Sequence, residues 1–439
     1  MPNQTDRRLV IVVRADPVIC GHSVEARNLA EVALTRGFTD VRIVTWPIER
    51  LQAAGLPLKP LDRVLPYSPG ITVERPEPVG DYKVVDARYY SGVVGRLVEL
   101  FTDGVPTTCI SLYLSPHTLA VSDAVRTAWS TGLPVDVSTV AEAVGSDVTN
   151  VVRSCVAKGE MGAAAQILAS YLGQDHLVAV SEYTRELILS SAVELDEAAG
   201  TRFAPQLAKR VDVSYPAIDT SAYLDLDPAE FERVLSARGL ERDGYVLFLS
   251  RLTDAKGVDD LIDGFALSAV PEHVRLVIAG RGPSERALRD HAAASSVAHR
   301  IEFLTDVDDA EKPYLMAGCA AYALPTKPLP EFVETFGIAL AEKMLAGGGP
   351  VITTDTGGVL EAVGDTATIV PVDDPDAIAA ALDGVFALSP TELLERETAA
   401  RAFALQFDRE VVFDRMMAGL ERAQRNVTAP RTEPIRLPM

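Results

Sequence analysis

Short apolar runs alternate with stretches of helical spacing along most of the chain. Leu9 to Val13 (LVIVV) is uninterrupted, the pattern of a strand buried on both faces of a parallel sheet. A loop from Arg14 to Ser23 comes next, then a predicted helix, Val24 to Arg36, and a second strand, Val41 to Thr45. Thr107 to Leu114, Pro134 to Val140 and His176 to Val180 read as further strands, the last turning through Ser181-Glu182 into a helix. Between Leu51 and Tyr90 the chain is Pro-rich, and no periodicity predicts an element there. A second series starts at Tyr245 to Leu249 (YVLFL). It runs through a helix from Asp259 to Ala269, strands Val274 to Ala279 and Arg300 to Leu304, a helix from Asp309 to Ala317 and a strand at Ala320 to Leu324. Predicted helices Pro375 to Phe386, Pro390 to Phe407 and Arg409 to Arg425 close the pattern, and Asn426 to Met439 reads as a mobile tail. No repeat of 20 to 50 residues interrupts this order. Two α/β series in 439 residues predict two Rossmann-like domains facing each other across a cleft.

The chain is organised around Glu331 to Pro350, EFVETFGIALAEKMLAGGGP. It comes after the strand ending at Pro325 and a Pro-rich loop, Thr326 to Pro330. From Phe336 onward Ile338, Leu340, Ala341, Met344 and Leu345 fall at helical spacing until Gly347 to Gly349 stop the helix before Val351-Ile352. Glu334 stands before that helix and Glu342 about two turns along it, roughly 12 Å if all of it were helical. Thr335, Phe336, Gly337 and Ile338 offer backbone N–H groups at a helix N-terminus, an anion site, and Gly337 has no side chain to block approach. One nucleotide sugar can then be held at three points: sugar by Glu334, phosphate by the N–H groups, ribose by Glu342.

Glu334-x7-Glu342 with Phe336-Gly337 inside it resembles the signature of retaining GT-B glycosyltransferases, especially family 4. The resemblance implies transfer of a sugar from a nucleotide diphosphate donor, without a metal or other cofactor. It also implies a first domain at 1–214 that binds the acceptor and a second at 215–408 that binds the nucleotide sugar. A helix at 409–425 then packs toward the first domain, ahead of the 426–439 tail. Tyr215 to Thr220 resembles the family's interdomain linker. The Gly-Gly pair of the first loop is matched only by Gly21, which stands between Cys20 and His22, the histidine being equally explicable as a loop or capping position. Val144-Gly145-Ser146-Asp147 resembles the H-G-S-D loop, with Val144 where a histidine would face the donor sugar. Either Glu142 or His117 takes over that contact, or the sugar pocket is apolar there.

Arg251 directly follows a strand and Lys256 comes five residues on, at the mouth of a helix. A planar fork and a point charge on one βα loop suit a diphosphate. Arg251, Lys256 and Glu334 are accordingly the candidate catalytic residues. The family resemblance implies that Gly280 and Gly282, in the loop after Ala279, lie near the base; a third glycine is missing, since Glu285 takes its place, so no dinucleotide fingerprint is formed. D-x-D pairs, which bind metal in other sugar transferases, occur at Asp225/Asp227, Asp306/Asp308 and Asp374/Asp376, and read as accidents of an acidic chain.

Composition narrows the partners. Lys+Arg 41 against Asp+Glu 62 gives −21, which argues against nucleic acid or an anionic membrane surface as partner. Cys20, Cys109, Cys155 and Cys319 lie far apart, so neither a zinc site nor a disulfide framework is expected. No signal peptide precedes Leu9 and no apolar run approaches 18 residues, so the expectation is a cytoplasmic protein. The expected ligands are a UDP- or GDP-sugar and a small soluble acceptor of a specialised-metabolite (antibiotic-type) or small-thiol pathway. Pairing with a second copy is left open. The alternatives are a non-catalytic nucleotide-sugar-binding pseudo-glycosyltransferase, for which Val144 speaks, and another GT-B enzyme such as a sugar-nucleotide epimerase. A phosphorylase would need a pyridoxal-phosphate lysine, for which no candidate stands out.

Overall fold

The structure, a computed structural model, describes residues 7–79, 85–330 and 332–428. The tail expected to be mobile lies, from residue 429 on, outside them. Two parallel sheets carry the molecule. The first contains β1 (Arg8–Val12), β2 (Asp40–Val44), β3 (Ile71–Glu74), β4 (Thr107–Leu112), β5 (Val137–Ala143), β6 (His176–Ala179) and β7 (Val211–Val213), in the order β3-β2-β1-β4-β5-β6-β7. The second contains β8 (Tyr245–Leu249), β9 (Arg275–Ala279), β10 (Ile301–Leu304), β11 (Ala321–Leu324), β12 (Val351–Thr354) and β13 (Thr368–Val370), in the order β10-β9-β8-β11-β12-β13. Helices cover both sheets, so strands such as RLVIV are buried at every position. This is the doubly wound architecture that near-continuous apolar runs require.

In each sheet the strand order reverses once beside the first strand: between β1 and β4, and between β8 and β11. Open α/β sheets bind ligands outside the carboxyl ends of the strands at such a switch point. Arg14 and Tyr113 come just after the ends of β1 and β4; Arg251 and the Glu334 loop come after β8 and β11.

The chain passes between the sheets twice, and the two passages run side by side. The Ile218 amide donates to the Phe407 carbonyl at 2.9 Å, and the Arg409 amide to the Ile218 carbonyl at 2.8 Å. The helix Arg409–Thr428 then lays Val412, Phe413, Met416 and Leu420 into the cluster that holds Leu9, Ile11 and Leu29 of the first sheet and its neighbouring helix. Arg36 pairs with Glu410 and Asp414 of that helix. We place the boundary between the two units at Tyr215, the start of the first passage.

Differences from the sequence expectations have local causes. The first helix runs Gly21–Thr35 rather than from Val24, so Gly21 opens it. In the stretch from Leu51 to Tyr90, where the sequence predicts no element, lies β3, whose short ITVE strand is only half-buried on the sheet edge. The helix Val85–Thr102 also begins there. β4 stops at Leu112 because Tyr113 adopts φ 94°, a left-handed conformation rare for a bulky residue.

Candidate active site

A cavity of about 580 Å³ opens between the carboxyl ends of the two sheets. Its lining contains Gly21, Val144, Gly145 and Ser146 from the first unit. From the second come Arg251, Lys256, Gly280, Glu334, Thr335, Phe336, Gly337, Ile338 and Glu342. The two switch points thus bring residues from opposite ends of the chain to one place.

The donor-side wall is the turn into the helix Ile338–Ala346. Gly337 caps it at φ 97°, and a Cβ there would lie 2.8 Å from Leu340 Cδ1, so a side chain would be strained twice over. Phe336 is buried against the crossing: its ring centroid is 5.5 Å from that of Tyr215 and 5.0 Å from that of Phe407. Aromatic pairs of this kind contribute about 0.5–1.5 kcal/mol each beyond burial, which fixes the loop to the hinge. The first unit closes tightly on it. A Cβ on Gly21 would come within 2.8 Å of Ile338 Cδ1, and one on Gly145 within 2.2 Å of Thr335 Cγ2.

Both glutamates are held by lysines. Lys256 Nζ bonds the Glu334 carboxylate and lies 5.1 Å from the Phe332 ring centroid. Lys312, which no motif announced, pairs with Glu342 at 2.7 Å. Lys256 and Glu342 are 5 % and 6 % exposed, so these are desolvated pairs rather than surface ones. Arg251, exposed at the cavity wall, has its guanidinium carbon 5.7 Å from the Phe332 ring centroid. A polyanion entering here meets Arg251, can take Lys256 from Glu334, and leaves that carboxylate facing the cavity.

Three of the residues expected at the site do not line the cavity. Gly282 lies behind it, where a Cβ would clash with the Leu252 carbonyl at 2.1 Å, so it serves close packing of the β8 and β9 loops. His117 is buried with both ring nitrogens engaged: Nδ1 with the Leu112 carbonyl, and Nε2 accepting from Trp46 Nε1 at 3.2 Å. Burial pushes its pKa down to about 4. Glu142 is fully buried on β5, outside the cavity lining. Neither therefore supplies the polar contact expected opposite Val144. The residue that does line the cavity is His22, for which the sequence allows a loop or capping role equally well. Its pKa falls to about 3 through burial first, then through Arg14, His117 and Arg251, and so its ring is neutral. Asp147 shapes the loop rather than facing a ligand: its carboxylate accepts from the amides of Leu114 at 2.8 Å, Val144 at 3.1 Å and Gly145 at 3.0 Å.

Four of the six D-x-D carboxylates have structural partners. Asp227 and Asp374 cap the helices that succeed them. Asp306 pairs with Arg238 at 2.8 Å, and Asp308 accepts from the Ala310 and Glu311 amides. Among the described residues no single helix is long and apolar enough to cross a membrane.

The class emerges from this arrangement: a GT-B fold, two parallel-sheet units with the site between them, resembling glycosyltransferase family 4. Residues 234–401 match the family described as glycosyl transferases group 1. The chain is similar to a phosphatidyl-myo-inositol mannosyltransferase of Mycobacterium tuberculosis, 34% identical over 210 residues, covering 46% of this chain and 53% of that protein. It is similar too to a D-inositol 3-phosphate glycosyltransferase of Mycobacterium marinum, 29% identical over 241 residues, 52% of this chain and 49% of that protein. The chain spans about half the length of the curated relatives it matches. Among solved structures, Anabaena Alr3699/HepE in complex with UDP-glucose superposes with a TM-score of 0.67 at 17% identity, over 94% of this chain and 99% of that one, a likeness of fold.

Proposed function

We propose that this chain is a glycosyltransferase that moves a sugar from a UDP- or GDP-sugar to a small soluble acceptor, with retained configuration and without a metal. The observation that carries the reading is the placement of Arg251 and the Lys256–Glu334 pair around the N-terminus of the Ile338–Ala346 helix in one cleft. In this reading Arg251, Lys256 and the N–H groups of that turn neutralise the leaving diphosphate, the task a metal performs elsewhere. Lys256 changes partner from Glu334 to phosphate, and Glu334 turns to the sugar. Glu342, steadied by Lys312, takes the ribose hydroxyls. Gly21 opens the opposing helix and lets its N–H groups reach the phosphates. His22, neutral and in the same cavity as Val144, makes the contact to the donor sugar or acceptor that the family histidine would make.

The relatives named above are transferases to an inositol lipid and an inositol phosphate. For this chain we favour a soluble acceptor, because the net charge is −21 and the first helix, Gly21–Thr35, carries Arg27 as its single Lys or Arg, against Glu25 and Glu31. Membrane docking through a basic face gains about 1 kcal/mol per Lys or Arg, which this helix does not offer. The test is the melting temperature with UDP, GDP and ADP, and then turnover of the corresponding nucleotide sugars. UDP or GDP should raise it most, and the protein should stay in the supernatant with anionic vesicles. Stabilisation without any turnover would favour the non-catalytic reading.

The two glutamates should separate in kinetics. Glu342→Gln is expected to raise KM more than it lowers kcat, because a ribose contact is the same in ground and transition states. Glu334→Gln is expected to lower kcat more. Equal changes in KM alone for both variants would remove this division of roles.

A further inference from the structure

Six cations face the cavity beside the Arg281 backbone contact: Arg14, Lys59, Arg63, Arg251, Lys256 and Lys312. Lys59 is held by Asp309, Lys256 by Glu334 and Lys312 by Glu342, while Arg63 donates to the Asp306 carbonyl at 2.9 Å. Among the described residues the other two, Arg14 and Arg251, have neither a carboxylate nor a hydrogen-bond acceptor. They stand on opposite walls, at the switch points of different sheets. Arg251 packs on Phe332, and the Arg14 guanidinium carbon lies 5.1 Å from the Tyr113 ring centroid. Arg14 Nε is buried and unpartnered, and so is Nδ1 of His22. Buried polar groups left without partners are rare and costly, so this pair is built for a group that arrives with a ligand.

The platform beneath Arg14 is held rigidly. Tyr113 keeps φ 94°, its ring is 6.0 Å from that of His22 and 6.1 Å from that of His117, and His117 is locked by Trp46 and Leu112. A strained residue held by packed neighbours at a cavity wall is a feature of binding sites.

Resting on the transferase reading, we propose that Arg14, carried on Tyr113 with His22 beside it, is an anion subsite for the acceptor. The acceptor therefore carries a phosphate or carboxylate in addition to the hydroxyl that receives the sugar. Two guanidinium groups without partners then serve two anionic substrates: Arg251 the donor diphosphate, Arg14 the acceptor. The His22 ring, neutral at any working pH, is free to bond the acceptor's hydroxyl groups without adding charge.

The experiment titrates the full chain, first saturated with UDP or GDP so that the donor phosphate site is filled. The probes are inorganic phosphate, glucose 6-phosphate, D-inositol 3-phosphate and glucuronate, with glucose and myo-inositol as neutral controls. Binding by at least one anion and by neither neutral compound is expected. Phosphate esters and the sugar acid report separately which anion the subsite takes. Arg14→Gln should weaken that anion at least tenfold and leave nucleotide affinity within about twofold. Arg14→Lys, which keeps the charge and the stem on Tyr113, should recover part of the loss and guards against misfolding. Failure of every anion to bind the wild type overturns the proposal. So does Arg14→Gln losing nucleotide as well as anion, which would assign Arg14 to the donor diphosphate. Failure of nucleotide itself to bind would instead overturn the transferase reading, and the anion arm is then read without nucleotide.

Discussion

Lys256→Ala is expected to lower kcat/KM by a hundredfold or more and to lower the melting temperature at the same time. The lysine is 5 % exposed and bonded to Glu334, whose side chain is 13 % exposed. Removing one partner of such a pair leaves the other charge buried and unpaired, at about 3–5 kcal/mol. In the donor complex the same truncation removes a cation from the leaving diphosphate, and about 1.4 kcal/mol is tenfold in rate. Arg251→Ala should show the kinetic loss alone. That side chain is exposed, without a carboxylate partner among the described residues, so nothing is orphaned when it is removed. The contrast is the check: kinetics and melting temperature for both variants. Near wild-type turnover for either would withdraw its assignment to the diphosphate. Equal melting losses for both would mean that the Lys256–Glu334 pair contributes nothing special.

The part of this site legible in the sequence is the part written in consecutive residues. Glu334 to Glu342 and Arg251 to Lys256 each occupy one βα loop, so spacing alone places their members together. Lys312 and Arg14 belong to no such run. Lys312 opens a helix thirty residues before Glu342, and only the packing of that helix beside Ile338–Ala346 brings the two to 2.7 Å. Arg14 becomes informative only when β1 and β4 are known to be neighbours, because that adjacency sets it on Tyr113. Polar character makes His117 and Glu142 look like site residues, Glu142 by its nearness in sequence to Val144 and His117 by its place just past a strand end. Tertiary packing decides otherwise. β5 is buried continuously from Thr139 to Ala143, so Glu142 sits in the packed interior, and the turn after β4 carries His117 against the Tyr113 ring and out of the cavity lining. The buried parallel strands are legible to within a residue or two at most ends, since continuous apolar runs allow little else. The edge strands β3, β7 and β13 are not, because an edge strand needs only one buried face.

Glu142 matters for stability rather than for ligand contact. Its carboxylate is fully buried with no hydrogen-bond donor to either oxygen among the described residues, and its neighbour is the equally buried Glu25. The two share a site at the hinge, where the Ala217 amide reaches Glu25 at 3.4 Å and Asn28 holds the Ala217 carbonyl at 2.8 Å. Burial raises the Glu25 carboxyl to about 7, and burial, then Glu25 and Asp147, raise Glu142 well above the ordinary range. Folded carboxyls with raised pKa hold protons that the unfolded chain has released. Their contribution is therefore fully present below the ordinary carboxyl range and is lost as pH rises from about 4.5 through 7. Glu142→Gln removes one of the two acids and gives Glu25 an amide donor. The variant should melt several degrees higher than the wild type at pH 8, and the gap should shrink toward pH 5. Thermal unfolding of both proteins across that range measures it. A variant no more stable at pH 8, with the wild-type slope against pH, would mean that the pair is not sharing a proton and that the hinge tolerates two charges.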